Sequence, residues 1–355
     1  MKIRAVVLSF FIVIAGCIQD LTADVILAHG SLARDENWYK DSEDPKKGLF
    51  FKELSAQAAR LGLGKVVPFS WSGRSGLGSR VRGVKEHIKA AEAASKLIRD
   101  GLSPNRPAGA INLETPLYFV GHSNGGVVGE IVTQMLYNPH SSEAESLGLS
   151  APPLFGRDLK ASAYRAGSTK KHDTSKLEAA ADRATRACRT MLKREIERVR
   201  KEIYGPNNRS QIKLEQLIMM ATPIDQSLYS VNMRVANNVC ALFSSGDGLQ
   251  RYFGRGQVRY PQGDNVMNFR VAVRSAGGGI YYPLHTQMRN HYVARYLLSL
   301  MADVPKMTGV SRSKFASTRG IDVLFDEEPD EDSLAPEYSV IENLRERAFP
   351  ASGLE

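Results

Sequence analysis

A serine between glycines is the first place where this chain could carry out chemistry. The segment LYFVGHSNGGVVGEIV, residues 117 to 132, is apolar and β-prone up to Val120 and then acquires helical character. Between the two lies GHSNG, residues 121 to 125, which matches the G-x-S-x-G nucleophile elbow. The string alone is a weak signal, but its place after a β-run and before a helix is what an elbow requires. We therefore predict that Ser123 is a nucleophile; the alternative is a glycine-rich turn with an idle serine.

A nucleophilic serine needs a histidine as general base, and the elbow motif predicts the chain order serine, acid, histidine. Of the seven histidines, His285 and His291 follow the later predicted strands. His285 lies in GGGIYYPLHTQM, between the last predicted strand and the final predicted helix, whereas His291 lies inside that helix. This position favours His285 as the base over His291, with a surface loop histidine as the alternative interpretation.

Two aspartates compete for the role of orienting acid. Asp247, in ALFSSGDG, follows the fifth predicted strand, and Asp225, in MMATPID, follows the fourth. Asp247 is favoured because the acid usually follows the strand that precedes the strand of the histidine. Each aspartate could instead be a turn or capping residue, the ordinary role of Asp beside Gly or Pro.

An oxyanion hole requires two backbone N–H groups directed at the tetrahedral oxygen. Asn124 follows the nucleophile and would supply one. The other is expected from AHGSL, the loop after the first strand, with Ser31 as the donor and Leu32 as the reserve. We expect His29 to be buried and to hold this loop together.

Short β-rich runs alternate with amphipathic helical runs, which predicts an α/β fold: a mostly parallel sheet of about six strands flanked by helices. Strands are predicted at 25–29, 66–71, 117–122, 217–221, 239–244 and 269–275. The helical runs are FFKELSAQAARLG, VRGVKEHIKAAEAASKLIRDG, VVGEIVTQMLYN and TQMRNHYVARYLLSLM.

An insertion at about 139–210 separates the third and fourth predicted strands. It contains a predicted basic amphipathic helix at 173–204, and residues 160–204 hold 13 basic and 6 acidic residues. We expect a helical cap over the carboxyl ends of the strands. Its basic surface predicts either contact with an anionic membrane or a solvated helix whose apolar stripe packs on the core. Residues 313–355, with 4 basic and 11 acidic residues, are predicted to form an acidic tail.

Six features together resemble the α/β-hydrolase family. They are VILAHGS, FSWSG before a helix, LYFVGHSNGG, LIMMATP, FSSGDG and the late His285. The resemblance is to the lipase-like branch that includes GPI-inositol deacylase-like proteins, and it covers roughly residues 22 to 305. It implies a serine hydrolase that cleaves carboxylic esters, of a lipid or another acyl chain, through an acyl-enzyme on Ser123. Asp247 and His285 would complete the triad, with Ser31 and Asn124 at the oxyanion hole.

Two departures accompany the resemblance. The family often begins with an antiparallel strand pair, for which there is no room before Asp24, and residues 139–210 match no cap of the family. An acyltransferase with the same triad is an alternative, as is a non-catalytic lipid-binding protein. No metal-ligand spacing is present, so no metal or cofactor is implied. Without a recognisable nucleic-acid module, the basic helix does not predict a nucleic-acid partner. The sequence indicates no oligomeric state.

The amino terminus is typical of an export signal. Lys2 and Arg4 precede an apolar run at 5–15, which predicts a signal peptide over residues 1–17 and a catalytic domain over 18–312. VIAGC places Cys17 where bacterial lipoprotein signals carry the lipidated cysteine. A plain signal cleaved after Ala23 is the alternative, so the protein is expected to be lipid-anchored, periplasmic or secreted. Cys188 and Cys240 are interpreted as two buried thiols.

Overall fold

The computed structural model describes residues 23–30, 48–71, 80–105, 107, 110–146, 175–205, 207–222, 231–247, 265–303, 321–327 and 338–341. Residues 80–87, 145–146, 175–185, 321 and 338–341 are described by their backbone only. Within these ranges, no helix is long and apolar enough to cross a bilayer.

Strands and helices alternate along most of the described chain. The strands are β1 Asp24–Ala28, β2 Val66–Phe69, β3 Leu117–His122, β4 Leu214–Met220, β5 Ala236–Phe243, β6 Val266–Arg274, β7 Ile280–Tyr281, β8 Ile321–Asp326 and β9 Tyr338–Ile341. The helices are α1 Leu49–Arg60, α2 Arg80–Leu102, α3 Asn124–Met135, α4 Ser142–Ser146, α5 Ser175–Tyr204 and α6 His291–Ala294, with a 3-10 turn at Gln287–Arg289. All six predicted strands are present, within three residues at either end.

The strands form one open, mostly parallel sheet in the order β2-β1-β3-β4-β5-β6-β8-β9. β7 and β9 run antiparallel to β6 and β8, and the other pairings are parallel. The chain leaves β1 towards β2 on one side and returns to β3 on the other. Such a reversal leaves a crevice at the carboxyl ends of the two strands, where open α/β sheets bind their ligands. Here that crevice lies between the carboxyl ends of β1 and β3.

Helices cover both faces of the sheet, as an α/β fold requires. Alternating residues of β1 show the division, since Val25 and Leu27 pack in one core cluster and Ile26 and Ala28 in the other. Residues of α1 and α6 lie in the first cluster. Residues of α2, α3 and α5 lie in the second. The α/β class and the mostly parallel sheet predicted from the sequence are therefore confirmed.

The long helix α5 does not form a cap where its side chains are described. Over those residues, its apolar stripe packs on the core of the sheet. Cys188, Leu192, Ile196 and Val199 are buried in the core cluster that α2 and α3 share. Near its end, Arg200 donates to the carbonyl of Gln134 at 2.7 and 2.9 Å. Gln134 is in the last turn of α3, about 16 Å along that helix from Ser123. Residues 186–204 are thus a crossover helix, which corrects the predicted cap.

Over residues 186–204, the apolar stripe of α5 is therefore occupied by the core and is not available for insertion into a bilayer. Its charged side chains partly neutralise one another, because Arg198 pairs with Glu195 and Glu202 while Lys193 pairs with Glu197 at 3.8 Å. The sequence predicted an apolar face correctly but could not indicate which surface covers it. Residues 147–174 of the insertion lie outside the described residues.

The segment predicted as an acidic tail contributes β8 and β9 to the sheet, which corrects the domain boundary at 312. Val323 and Phe325 of β8 are buried in the core. Asp322 of β8 pairs through both carboxylate oxygens with Arg270 of β6. The acidic composition concealed a strand because the cation that neutralises Asp322 is distant in sequence.

Two smaller findings concern the last helix and the thiols. The predicted helix at 286–301 is broken, with the 3-10 turn, α6 and a further helical turn at 300–303 in its place. Cys188 and Cys240 are buried thiols, as predicted. Burial raises the pKa of Cys188 to about 11 and also raises the pKa of Cys240. Both thiols are therefore protonated at neutral pH and unreactive.

Candidate active site

Ser123 occupies a strained turn between β3 and α3. Its backbone has φ 53° and ψ −130°, a conformation that non-glycine residues rarely adopt. The Ser123 N–H donates to the carbonyl of Met220 at 2.8 Å, which continues the β3–β4 ladder by one residue. The Ser123 carbonyl accepts from the N–H of Gly126 at 3.0 Å and starts the helix. The strand and the helix thus hold Ser123 in the sharp strand-to-helix turn that the sequence predicts.

Two glycines of the motif permit the close approach of this turn to its surroundings. A β-carbon on Gly121 would lie 2.4 Å from the Gly126 nitrogen, and one on Gly125 would lie 2.2 Å from the carbonyl oxygen of Ala28. Real side chains do not tolerate such contacts, since both neighbours are backbone atoms. The spacing of glycines in GHSNG is therefore a packing requirement of the turn.

The end of β1 is fixed beside Ser123 by His29 and Trp71. The Trp71 N–H donates to His29 Nε2 at 3.3 Å, and the indole N–H of Trp71 donates to the His29 carbonyl at 2.8 Å. His29 Nδ1–H then donates to the carbonyl of Gly30 at 2.7 Å, so the ring is neutral. His29 is buried, as predicted, and its bonds to Trp71 join the ends of β1 and β2. This places Gly30 against Ser123, where an added β-carbon would lie 3.2 Å from Ser123 Oγ.

Asp247 and His285 form the central side-chain contact of the site. The His285 Nδ1–H donates to Asp247 Oδ2 at 2.7 Å. The Asp247 side chain is fully buried, and the His285 side chain is 13% exposed. A carboxylate at Nδ1 fixes the tautomer, and the unprotonated Nε2 can then accept a proton. The contact supports Asp247 as the acid, while Asp225 lies outside the described residues.

His122 connects the base to the nucleophile strand. Its Nε2–H donates to the backbone carbonyl of His285 at 2.9 Å, and the two rings lie 4.9 Å apart. Since His122 directly precedes Ser123, this bond brings the loop of His285 to the edge of the sheet where Ser123 lies. Burial lowers the pKa of His122 well below its usual range, and the nearby charge of Arg289 lowers it further. His122 is therefore neutral at physiological pH.

The remaining predicted residues are partly described. Asn124 is the first residue of α3, and the N–H groups of the first helical turn point towards the amino end, where Ser123 lies. Ser31 lies outside the described residues, although Gly30 before it touches Ser123. His291 begins α6 and stacks edge-on against Tyr292. Among the described residues, no group of three or more His, Cys, Asp and Glu side chains could hold a metal ion.

Two glycine contacts at the site escaped sequence reasoning. A β-carbon on Gly246 would lie 2.2 Å from the Tyr282 carbonyl oxygen, so Gly246 allows the acid loop to touch the base loop. A β-carbon on Gly126 would lie 2.0 Å from Thr222 Oγ1, which packs the end of β4 against α3. Next to Thr222, Ala221 has a φ of 48°. The glycines signal a close neighbour, but the sequence does not identify it.

Comparisons with protein-family models, with curated proteins and with solved structures find no match to this chain.

Proposed function

We propose that this protein is a serine hydrolase of the α/β-hydrolase type that cleaves carboxylic esters through an acyl-enzyme on Ser123. The observation that carries the proposal is that the candidate nucleophile, base and acid are held at the same edge of the sheet. Ser123 lies in a strained strand-to-helix turn, and the loop of His285, hydrogen-bonded to Asp247, is fixed to the residue before Ser123. The crevice at the β1–β3 reversal, where ligands bind in open α/β sheets, lies at the same place.

For acylation we propose the following order of steps. His285 Nε2 takes the proton of the Ser123 hydroxyl as Oγ attacks the ester carbonyl carbon, and the imidazolium is stabilised by the Asp247 carboxylate. His285 then gives that proton to the leaving alcohol, which departs as the acyl group remains on Ser123. In the second half-reaction His285 removes a proton from water, the hydroxide attacks the acyl-enzyme, and Ser123 recovers its proton as the acid leaves.

The tetrahedral oxygen requires stabilisation in both halves. The Asn124 N–H lies at the amino end of α3, where the helix dipole favours negative charge. For the second donor we propose the Ser31 N–H, since Gly30 holds the chain against Ser123 immediately before it.

The sequence supports three further proposals about setting. The substrate is an ester of a lipid or other acyl chain, the protein is exported, and Cys17 anchors it to a membrane as a lipoprotein. The charged face of α5, which includes the exposed Lys193 and Arg194, is proposed to attract an anionic membrane surface. Because the described apolar stripe of α5 is buried, this attraction depends on charge alone.

A panel of p-nitrophenyl esters of increasing chain length tests the reaction. Hydrolysis together with fluorophosphonate labelling of the same preparation supports the proposal, and the chain length of highest kcat/KM defines the acyl pocket. Product analysis with an added alcohol separates hydrolysis from acyl transfer, because a transferase forms a new ester in place of the free acid. A folded, pure protein that neither labels nor hydrolyses any ester would refute the proposal.

A further inference from the structure

The ring of His122 contacts the candidate base in a way that the proposed reaction does not use. Its Nε2–H donates to the backbone carbonyl of His285 at 2.9 Å, and the rings cross at 55°. We infer that His122 is a positioning residue that fixes the backbone of His285 to the strand carrying Ser123 and so sets the distance between nucleophile and base. The inference rests on the proposed function of Ser123 and His285.

The loop of His285 is anchored on either side, at the buried residues Pro283 and Met288, but the residues next to His285 are exposed. β7, which precedes it, has two residues, and the 3-10 turn that follows has three. Leu284 is 55% exposed, and Thr286 is exposed as well, so the neighbours of His285 face solvent and are not packed in the core. Between these two anchors, the direction that a general base needs depends on hydrogen bonds made by His285 itself.

Two bonds from different strands then fix His285. The Asp247 carboxylate, after β5, holds the ring at Nδ1. His122, at the end of β3, holds the main chain of His285. The Asp247 contact sets the tautomer and the direction of the His285 ring, and the His122 contact sets the distance of the His285 main chain from β3. Because Ser123 directly follows His122, the same contact also sets the distance between the nucleophile and His285.

The chemistry of His122 suits this role. The ring is buried, and burial together with the nearby charge of Arg289 disfavours its charged form. It therefore donates a hydrogen bond without placing a positive charge next to the base. A glutamine can offer an N–H at a similar reach, whereas a leucine fills the space and donates nothing.

A purely structural role for His122 predicts a different outcome from a positioning role. If the ring only fills the core, its replacement lowers stability and leaves the reaction rate of the folded protein unchanged. If the ring positions His285, the rate of the folded protein falls, since a misplacement of about 1 Å can cost on the order of a hundredfold. The rate and the stability must therefore be measured separately.

The experiment compares His122→Leu and His122→Gln with Val199→Ala, a substitution in the buried stripe of α5 far from the site. We measure the rate of fluorophosphonate labelling, kcat and KM for a short soluble ester, and the melting temperature. In His122→Leu, labelling and kcat should fall on the order of a hundredfold while KM changes by less than about threefold. His122→Gln should recover most of the loss. Val199→Ala should melt at a lower temperature and label at the wild-type rate.

Several results overturn the inference. Labelling of folded His122→Leu at the wild-type rate, with Ser123 still the labelled residue, removes the role of His122 and leaves the proposed function intact. No labelling of the wild-type protein removes both. If His122→Leu does not fold, heteronuclear NMR of the wild-type histidines tests the bond itself. The bond requires a protonated Nε2 with slow solvent exchange, and a protonated Nδ1 with bare Nε2 contradicts it.

Discussion

Gly30 and Ser123 approach each other so closely that a β-carbon on Gly30 would lie 2.7 Å from the β-carbon of Ser123. The two residues follow neighbouring parallel strands, β1 and β3, at the edge where the strand order reverses. The loop after β1 is thus in direct contact with the candidate nucleophile.

Gly30→Ala should lower kcat on the order of a hundredfold, because the new methyl displaces Ser123 or the β1 loop by several tenths of an ångström or more. The matched control is Gly277→Ala, since a β-carbon on Gly277 meets nothing within 4 Å. Steady-state kinetics and melting curves on both variants check this. Equal activity of the two variants would show that the contact has no part in the reaction.

Asp247→Asn should reduce kcat by about 10⁴, because an amide no longer fixes the Nδ1–H tautomer of His285. The side chain is nearly isosteric, so the fold and the labelling site should be kept. Asp225→Asn serves as the comparison and should cost far less. The reverse ranking in folded, purified variants would move the acid to Asp225.

His285→Gln should abolish turnover nearly as completely as loss of the nucleophile, on the order of a millionfold in kcat. His291→Gln should leave kcat within about threefold of wild type, since His291 begins α6 and its ring packs edge-on against Tyr292. The rate of probe labelling of each variant, measured at several pH values, shows whether a general base still acts at a lower rate or is absent. Loss of activity in the second variant alone would transfer the role of base to His291.

Asp322→Ala should lower the free energy of unfolding by roughly 3 kcal/mol, because it leaves Arg270 largely buried without its partner. The exposed fractions of the two side chains are 4% for Asp322 and 20% for Arg270. Asp326→Ala is the control on the same strand. Its pair with Arg274 is more exposed, at 28% and 47%, and should contribute less than about 1 kcal/mol. Denaturant unfolding measures both, and equal small effects would mean that the Asp322–Arg270 pair adds little to the stability of the sheet.

The strands around the site could be predicted from the sequence because each is a short apolar run followed by a turn. β3 begins and ends where the pattern predicts. The pairing of Asp247 with His285 was also predicted, because chain order and strand ends limit the choice of acid and base. These features depend on the local residue pattern and on the chain order of serine, acid and histidine at strand ends. Both can be read from the sequence.

Other features depend on partners that the sequence does not identify. β8 has the acidic residues of a solvated tail, and Asp322 is neutralised by Arg270, 52 positions earlier. The stripe of α5 predicts a buried face, but the side of the sheet that buries it is set by α2 and α3. His122 binds a backbone carbonyl 163 residues away, which no side-chain pattern can indicate.

The central claim is that Ser123 is an acylated nucleophile, and mass spectrometry of the probe-labelled protein tests it most directly. The account predicts one fluorophosphonate adduct per chain, mapped by peptide analysis to Ser123. Ser123→Ala should keep its fold, take up no probe and lose kcat on the order of a millionfold. An adduct on another residue, or a Ser123→Ala variant that labels and turns over like wild type, would contradict the account.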